Sequence, residues 1–245
     1  MKSSTGFGTE MSKEKRADEL VDWLGLAIAK GDYPVGQVLP TEPELMALAE
    51  VGRSTVREAI RVLGSLGVVE TAPRRGTVVT DRGRWNLLNR DVLRWVMASR
   101  GHAADLMSAI NEARLVFEPS AAALVADRAD RMQLIAIETA FARMEVAAQN
   151  GDAEAAIAAD RAFHLAILSA TGNPILEAFD AAIDGVLGIL FSVAANHMEN
   201  FRANLANHQA ILDAIRARDA DAARAAMTAT ITFTTTRMKE AGIVA

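Results

Sequence analysis

The sequence predicts a mainly α protein: an N-terminal winged helix-turn-helix domain followed by an all-α antiparallel helical bundle. Three observations predict it. Residues 40–79, PTEPELMALAEVGRSTVREAIRVLGSLGVVETAPRRGTVV, hold two short helical patterns across a tight joint. The same stretch ends in two β-rich runs around a basic turn. From Ala103 onward the apolar residues keep helical period, with alanine abundant and breakers few. The boundaries fall at 10–80 for the winged domain, 81–103 for a linker and connecting helix, and 104–241 for the helical domain.

Met1 to Thr9, rich in Ser, Thr and Gly, reads as disordered. Ser12 to Ala29 reads as a helix with Leu20, Leu24, Ala27 and Ile28 on one side, stopped by Gly31. Packed across the next two helices, it completes a three-helix core. Thr41 and Glu44 form the S/T-x-x-E pattern of a reciprocal helix cap. Pro43 falls in the first turn, where a missing N–H costs little. Leu45, Leu48 and Ala49 share one face of this helix. Val51-Gly52 breaks it, and a second helix begins near Ser54 with Val56, Ile60 and Leu63 as its apolar stripe.

The opening positions of that second helix carry Arg53, Ser54, Thr55 and Arg57, where a recognition helix meets base edges and phosphates. Arg61, one turn on, reads equally as a phosphate contact or a solvated arginine. The hairpin places Arg74, Arg75 and Gly76 at its tip, as a wing. A plain helical pair with an incidental hairpin is the competing reading. The conjunction of arginines at a helix start, a tight joint before it and an Arg-Arg-Gly tip after it favours DNA.

After the wing, Thr80 to Arg84 reads as a polar linker, and Trp85 and Trp95 as packing anchors between the two domains. Helices are then expected at 104–129, 131–150, 152–171, 174–195, 205–218 and 219–240. Gly151, Gly172-Asn173-Pro174 and the region 196–204 mark the joints. Small alanine faces permit close helix approach and hence a compact bundle.

The 245 residues contain no cysteine, which excludes disulfides and thiolate metal sites and fits a reducing cytoplasm. The uncharged run between Asp184 and Glu199 is too short to span a bilayer, so no membrane is expected. The first residues lack the apolar core of a secretion signal. A net charge of −5 looks wrong for a DNA binder, but its distribution matters more. Residues 1–84 hold twelve Lys/Arg and twelve Asp/Glu, so all the excess negative charge lies beyond them. A neutral domain with a local arginine cluster can still bind DNA, best when two copies are presented, with affinity falling steeply in salt.

One polar constellation stands out in the helical part. Asp160 and His164 are four apart on a face that continues with Ile167 and Leu168, so they point inward. His208 opens the amphipathic run Ile211, Leu212, Ile215. A carboxylate and two imidazoles inside a bundle suit a divalent ion such as zinc or nickel. The plain alternative is a satisfied buried histidine. Arg114 follows Asn111 on the first helix of this domain, and Arg237 follows a threonine run that includes Thr234. An inward arginine needs an anion, and its planar fork suits a carboxylate. A salt bridge to Glu112, Glu118 or Asp160 would serve equally. His102 and His197 read as solvated groups at element edges.

Together these pieces resemble the GntR superfamily of bacterial repressors, in the FadR branch with its FCD effector domain. The resemblance runs through LPTEPELMALAEVGRSTVREAIRVLGSLGVVE, PRRGTVV, NEARLVFEPSAAALVA, DRAFHLAILSATGNP and HQAILDAIRARDADAA. The segments RWNLLNRDVLRWV and TTTRMKEAG resemble the D-galactonate-operon subgroup of that branch. The resemblance implies a homodimeric repressor of double-stranded operator DNA, released when a small carboxylate enters the bundle. It also implies a divalent metal, with Asp160, His164 and His208 matching three ligand positions. The fourth position falls near Thr230, so only three protein ligands are expected. Arg114 and Arg237 match the carboxylate clamps, with Asn111 and Thr234 beside them. The branch usually has arginine or lysine where Pro43 stands, so one DNA contact is missing.

The function expected is a DNA-binding transcriptional repressor answering to a sugar acid, an aldonate such as galactonate. The alternatives are a metal-dependent hydrolase with an accessory DNA-binding domain, and an architectural helical dimer without a ligand.

Overall fold

The computed structural model describes residues 13–99, 103–179 and 198–242. The expectations for residues 1–9, His102, His197 and the helix beyond Phe179 lie outside these residues. The chain divides into two compact units, residues 1–101 and 102–245.

The first unit opens with α1 (Lys13–Lys30), followed by α2 (Glu42–Ala49) and α3 (Arg53–Ser65). Leu20, Leu24 and Ile28 of α1 are buried as their spacing predicts, against Val56, Ala59 and Leu63 of α3. The Thr41 backbone N–H donates to Glu44 Oε2 at 2.7 Å, closing the cap at the start of α2. Leu48 departs from expectation: Leu45 and Ala49 are buried, but Leu48 is 60% exposed. In so short a helix only the i, i+4 pair faces α3, and the residue between turns outward.

The wing is an antiparallel hairpin of β1 (Val69–Ala72) and β2 (Gly76–Val79), with Val69 opposite Val79 and Ala72 opposite Gly76. Gly76 has φ of 84°, a left-handed conformation that suits glycine at this tight turn. The outer edge of β2 is covered by the segment before α2: Leu39 N–H donates to Thr77 O at 2.8 Å and Gly36 N–H to Val79 O at 2.9 Å.

Residues 81–99 belong with this unit. A 3-10 turn (Arg82–Arg84) leads to α4 (Arg90–Met97), which packs on α1. Trp95 is fully buried, and a Cβ built at Gly25 would lie 2.5 Å from its ring. The indole therefore lies flat on the α1 backbone where only glycine leaves room. Asp22 fixes the approach, accepting from Trp95 Nε1 at 2.6 Å and from Arg94. Trp85 Nε1 donates to Thr80 Oγ1 at 3.2 Å. Both tryptophans thus pack within the first unit.

The second unit consists of α5 (Ala103–Arg128), α6 (Arg131–Asn150), α7 (Ala153–Ala170), the short α8 (Pro174–Ala178), α9 (Met198–Arg216) and α10 (Ala220–Glu240). Asp130, Asp152 and Asp219 cap α6, α7 and α10, each accepting from a backbone N–H of the first turn. Short connections join α5 to α6, α6 to α7 and α9 to α10, which suits antiparallel neighbours. The packing closes a ring: α5 against α10, α10 against α9, α9 against α6, α6 against α7, and α7 back on α5. Ile137, Met144, Phe163, Ile167, Ile211 and Ile231 fill it. The joint expected over 196–204 is corrected: α9 already runs from Met198, and Asn204 lies within it, buried. Asn204 hydrogen-bonds across to α10, to Thr234 Oγ1 at 3.4 Å.

Candidate functional site

In the first unit the arginines at the start of α3 and at the wing tip face solvent. Arg53 and Ser54 are exposed in the first turn of α3, and Arg57 one turn on. Thr55 differs from expectation: it is 4% exposed, turned to the inner face beside Val56, so its side chain packs instead of projecting. Arg57 Nε donates to Glu42 at 2.9 and 3.1 Å, and Arg53 Nε lies 3.8 Å from the same carboxylate. Arg61 pairs with Glu58 at 2.6 Å. Arg74 and Arg75 are exposed at the wing tip, where Arg74 takes φ of 64°.

The second unit does the opposite and encloses its charge. Arg114 and Glu118, on successive turns of α5, pair at 2.5 Å with side chains 3% and 2% exposed. His164 of α7 brings Nδ1 to 2.6 Å from Glu118 Oε2. Asp160, one turn earlier, has Oδ1 at 2.9 Å from His208 Nε2 of α9. Phe163 and the two imidazoles meet edge to face, at 5.4 Å from Phe163 to His208 and 5.5 Å between the histidines. Burial alone would raise the Glu118 carboxyl, but the charges of Arg114 and His164 outweigh it and hold the pKa at about 2. Asp160 is likewise lowered against its burial, chiefly by His208.

Asp160, His164 and His208 each present a ligand atom within 4.8 Å of the others. A tetrahedral ion bonded at about 2.1 Å to each donor holds its donors about 3.4 Å apart, so the set would have to draw together to close on it. Its hydrogen bonding favours a ligand. His208 Nδ1 faces the Asn204 carbonyl at 3.0 Å and donates to it, which turns Nε2 toward Asp160. Asp160 Oδ2 is buried without a hydrogen-bond partner. These residues therefore fit a divalent cation. Thr230, at the expected fourth position, is buried but donates to Ala226 O at 2.9 Å, back into its own helix.

The predicted carboxylate clamps separate. Arg114 and Asn111 lie inside, and Asn111 Oδ1 has no partner. Thr234 is half-buried and joins Asn204 at 3.4 Å. Arg237 is a correction: its side chain is 45% exposed, paired with Glu240 at 2.7 Å and lying over Phe233. Met238, one residue on, takes the inward position and lies 3.6 Å from Asn111 Nδ2. The sequence reading gave Glu118 only as one salt-bridge option for Arg114 and missed Asn204. Their signal was the i, i+4 spacing to Arg114 and to His208.

A winged helix-turn-helix unit with exposed arginines, joined to a helical unit that encloses an ionic cluster, defines a DNA-binding transcriptional regulator. The chain belongs to the GntR family of bacterial regulatory proteins, matched over residues 16–79, with an FCD domain over residues 109–233. It is 36% identical to the galactonate operon transcriptional repressor of Escherichia coli strain K12, over 92% of this chain and 97% of that one. It is 30% identical to the transcriptional repressor NanR of Citrobacter rodentium, over 89% and 83% of the two chains. Among solved structures it is similar to Streptococcus agalactiae GntR, at 29% identity and a TM-score of 0.53, covering 92% and 100%. The protein is a transcriptional regulator of repressor type that binds operator DNA, not an enzyme, and the hydrolase alternative is not supported. Among the described residues no helix is long and apolar enough to cross a membrane.

Proposed function

We propose that the protein represses its operon as a homodimer and leaves the DNA when a small sugar acid, an aldonate such as galactonate, enters the helical unit. The observation that carries this reading is the enclosed cluster of Arg114, Glu118, Asp160, His164 and His208. Burying so many charged and polar groups costs stability unless they are paired, and hydrophobic residues would often fill the space at less cost. A binding role accounts for their presence. The galactonate operon repressor, alike over nearly the whole of both chains, supports the choice of acid.

Asp160, His164 and His208 would hold zinc or nickel through three protein ligands. When bound, such an ion supplies fixed positive charge. Two buried carboxylates, Glu118 and Asp160, share the site with the one buried guanidinium of Arg114, so added positive charge would make it a better setting for an anion. Arg114 offers the guanidinium, and Asn111 offers an unpartnered carbonyl oxygen to a sugar hydroxyl. Thr234 and Asn204 offer further polar contacts to hydroxyls. On the DNA side Arg53, Ser54 and Arg57 face base edges and phosphates, with Arg74, Arg75 and Gly76 approaching from the wing. Two copies would address half-sites about one DNA turn apart. The effector must favour the released form by about 1–3 kcal/mol, the usual size of such coupling.

The test is a gel shift with DNA from upstream of the protein's own gene, with and without D-galactonate and related aldonates. Release by an aldonate in the wild type and not in Arg114→Ala is expected. Binding that ignores every aldonate would remove the effector assignment and leave the repressor intact.

A further inference from the structure

We infer that Glu42 is a positioning residue for sequence discrimination: it orients Arg57, with Arg53 beside it, and withholds part of their charge from DNA of arbitrary sequence. This rests on reading α3 as the DNA-facing helix.

Glu42 stands in the first turn of α2, and its carboxylate reaches across the helix pair to two arginines at the start of α3. Arg57 Nε donates to both oxygens, at 2.9 and 3.1 Å, and Arg53 Nε lies 3.8 Å from one of them. The arginine side chains remain 64% and 63% exposed, and Glu42 37%. Ion pairs so open to water add little to stability, so stability alone does not account for the arrangement. Its geometry bears on recognition. Arg57 is held by its Nε edge, and its two Nη groups have no partner among the described residues. Two N–H groups in a plane match the O6 and N7 of guanine. A guanidinium already restrained loses less freedom on docking.

The second effect is electrostatic. Phosphate contacts carry affinity but no sequence information. Glu42 cancels one of the two positive charges it touches and would itself lie near phosphates. That lowers attraction to any duplex, whereas a matching base edge still engages the free Nη groups. The carboxylate thus acts against wrong sequences more than for the right one. The wing arginines, Arg74 and Arg75, have no ion-pair partner among the described residues and supply attraction without this restraint.

The test uses the full-length protein and two probes: a duplex enriched from a random-sequence library by the wild type, and a shuffled duplex of equal composition. Affinities are measured by fluorescence anisotropy across a salt series. Glu42→Gln is expected to bind the shuffled duplex about tenfold more tightly, with a salt slope steeper by about one, while the selected duplex changes less than about threefold. A specificity ratio within about threefold of the wild type overturns the assignment, whatever the absolute affinities. Arg57→Gln serves as the control. If it alters neither affinity, the reading of α3 falls and takes the inference with it. If it weakens binding while Glu42→Gln leaves the ratio unchanged, only the role of Glu42 falls. Should circular dichroism show Glu42→Gln unfolded, Glu42→Asp carries the same test, because it draws the carboxylate back from Arg57. Its ratio is expected to fall too, and an unchanged ratio overturns the assignment.

Discussion

Two glutamate–arginine pairs of identical chemistry sit in the two units of this chain. Glu42 and Arg57 meet at 2.9 Å with side chains 37% and 64% exposed. Glu118 and Arg114 meet at 2.5 Å with side chains 2% and 3% exposed. Water decides what each pair is worth. At the surface the attraction is screened, and such pairs contribute about 0–1 kcal/mol. In the bundle the charges have given up hydration, and removing one partner strands the other at a cost of about 3–5 kcal/mol. The exposed pair is therefore free to be exchanged for DNA, and the buried pair is committed to its surroundings.

The largest effect expected from this contrast is on Glu118→Ala, which leaves both Arg114 and His164 without their carboxylate. Urea unfolding followed by circular dichroism should show about 3–5 kcal/mol lost. A loss below about 1 kcal/mol would mean that the buried pair behaves like the exposed one.

Acid provides the next test. The Glu118 carboxyl titrates at about 2 in the fold against an ordinary 4.5. A lowered folded value gives stability that is complete above the unfolded pKa and lost as pH falls through the folded one. The wild type should thus lose about 3 kcal/mol between about pH 4.5 and about pH 2 from this group. Glu118→Gln should give a flatter stability curve over that window. Curves of equal steepness would show that Glu118 is not held low.

Added zinc sharpens the comparison further. At a hundredfold excess over its dissociation constant, a bound ion stabilises the folded protein by about 2.7 kcal/mol. Thermal unfolding of the wild type should rise on zinc addition, and that of Asp160→Asn should not. Equal shifts in both would place the ion elsewhere.

The smallest effect belongs to the exposed pair. Glu42→Gln should change unfolding free energy by less than about 1 kcal/mol. A larger loss would show that this pair supports the fold and is not simply a surface contact.

Much of the architecture was legible from side-chain periodicity. The α1 stripe, the capped α2, the wing and α6 follow from spacing and breakers that act locally. The inward placement of Asp160, His164 and His208 was legible for the same reason, since Ile167, Leu168, Ile211 and Ile215 share their faces. What failed depends on rotations of a few tens of degrees and on distant partners. Arg237 and Met238 are adjacent, and which faces inward is settled by packing against α5. Thr55 and Leu48 show the same ambiguity in short helices, where one turn must serve both core and surface. Glu42 gave no signal as a partner of Arg57, because fifteen positions of sequence separate them and only the fold closes that gap.

The flat seat of Trp95 on Gly25 has a practical corollary. A polypeptide cut after residue 79, where the family match to the DNA-binding part ends, would strip α1 of α4 and bare to water the face around Gly25 that Trp95 covers. Such a fragment should be sticky and short-lived in the test tube. One extended through Ser99 should stay dispersed, and is the piece to express when the DNA-binding half is wanted alone.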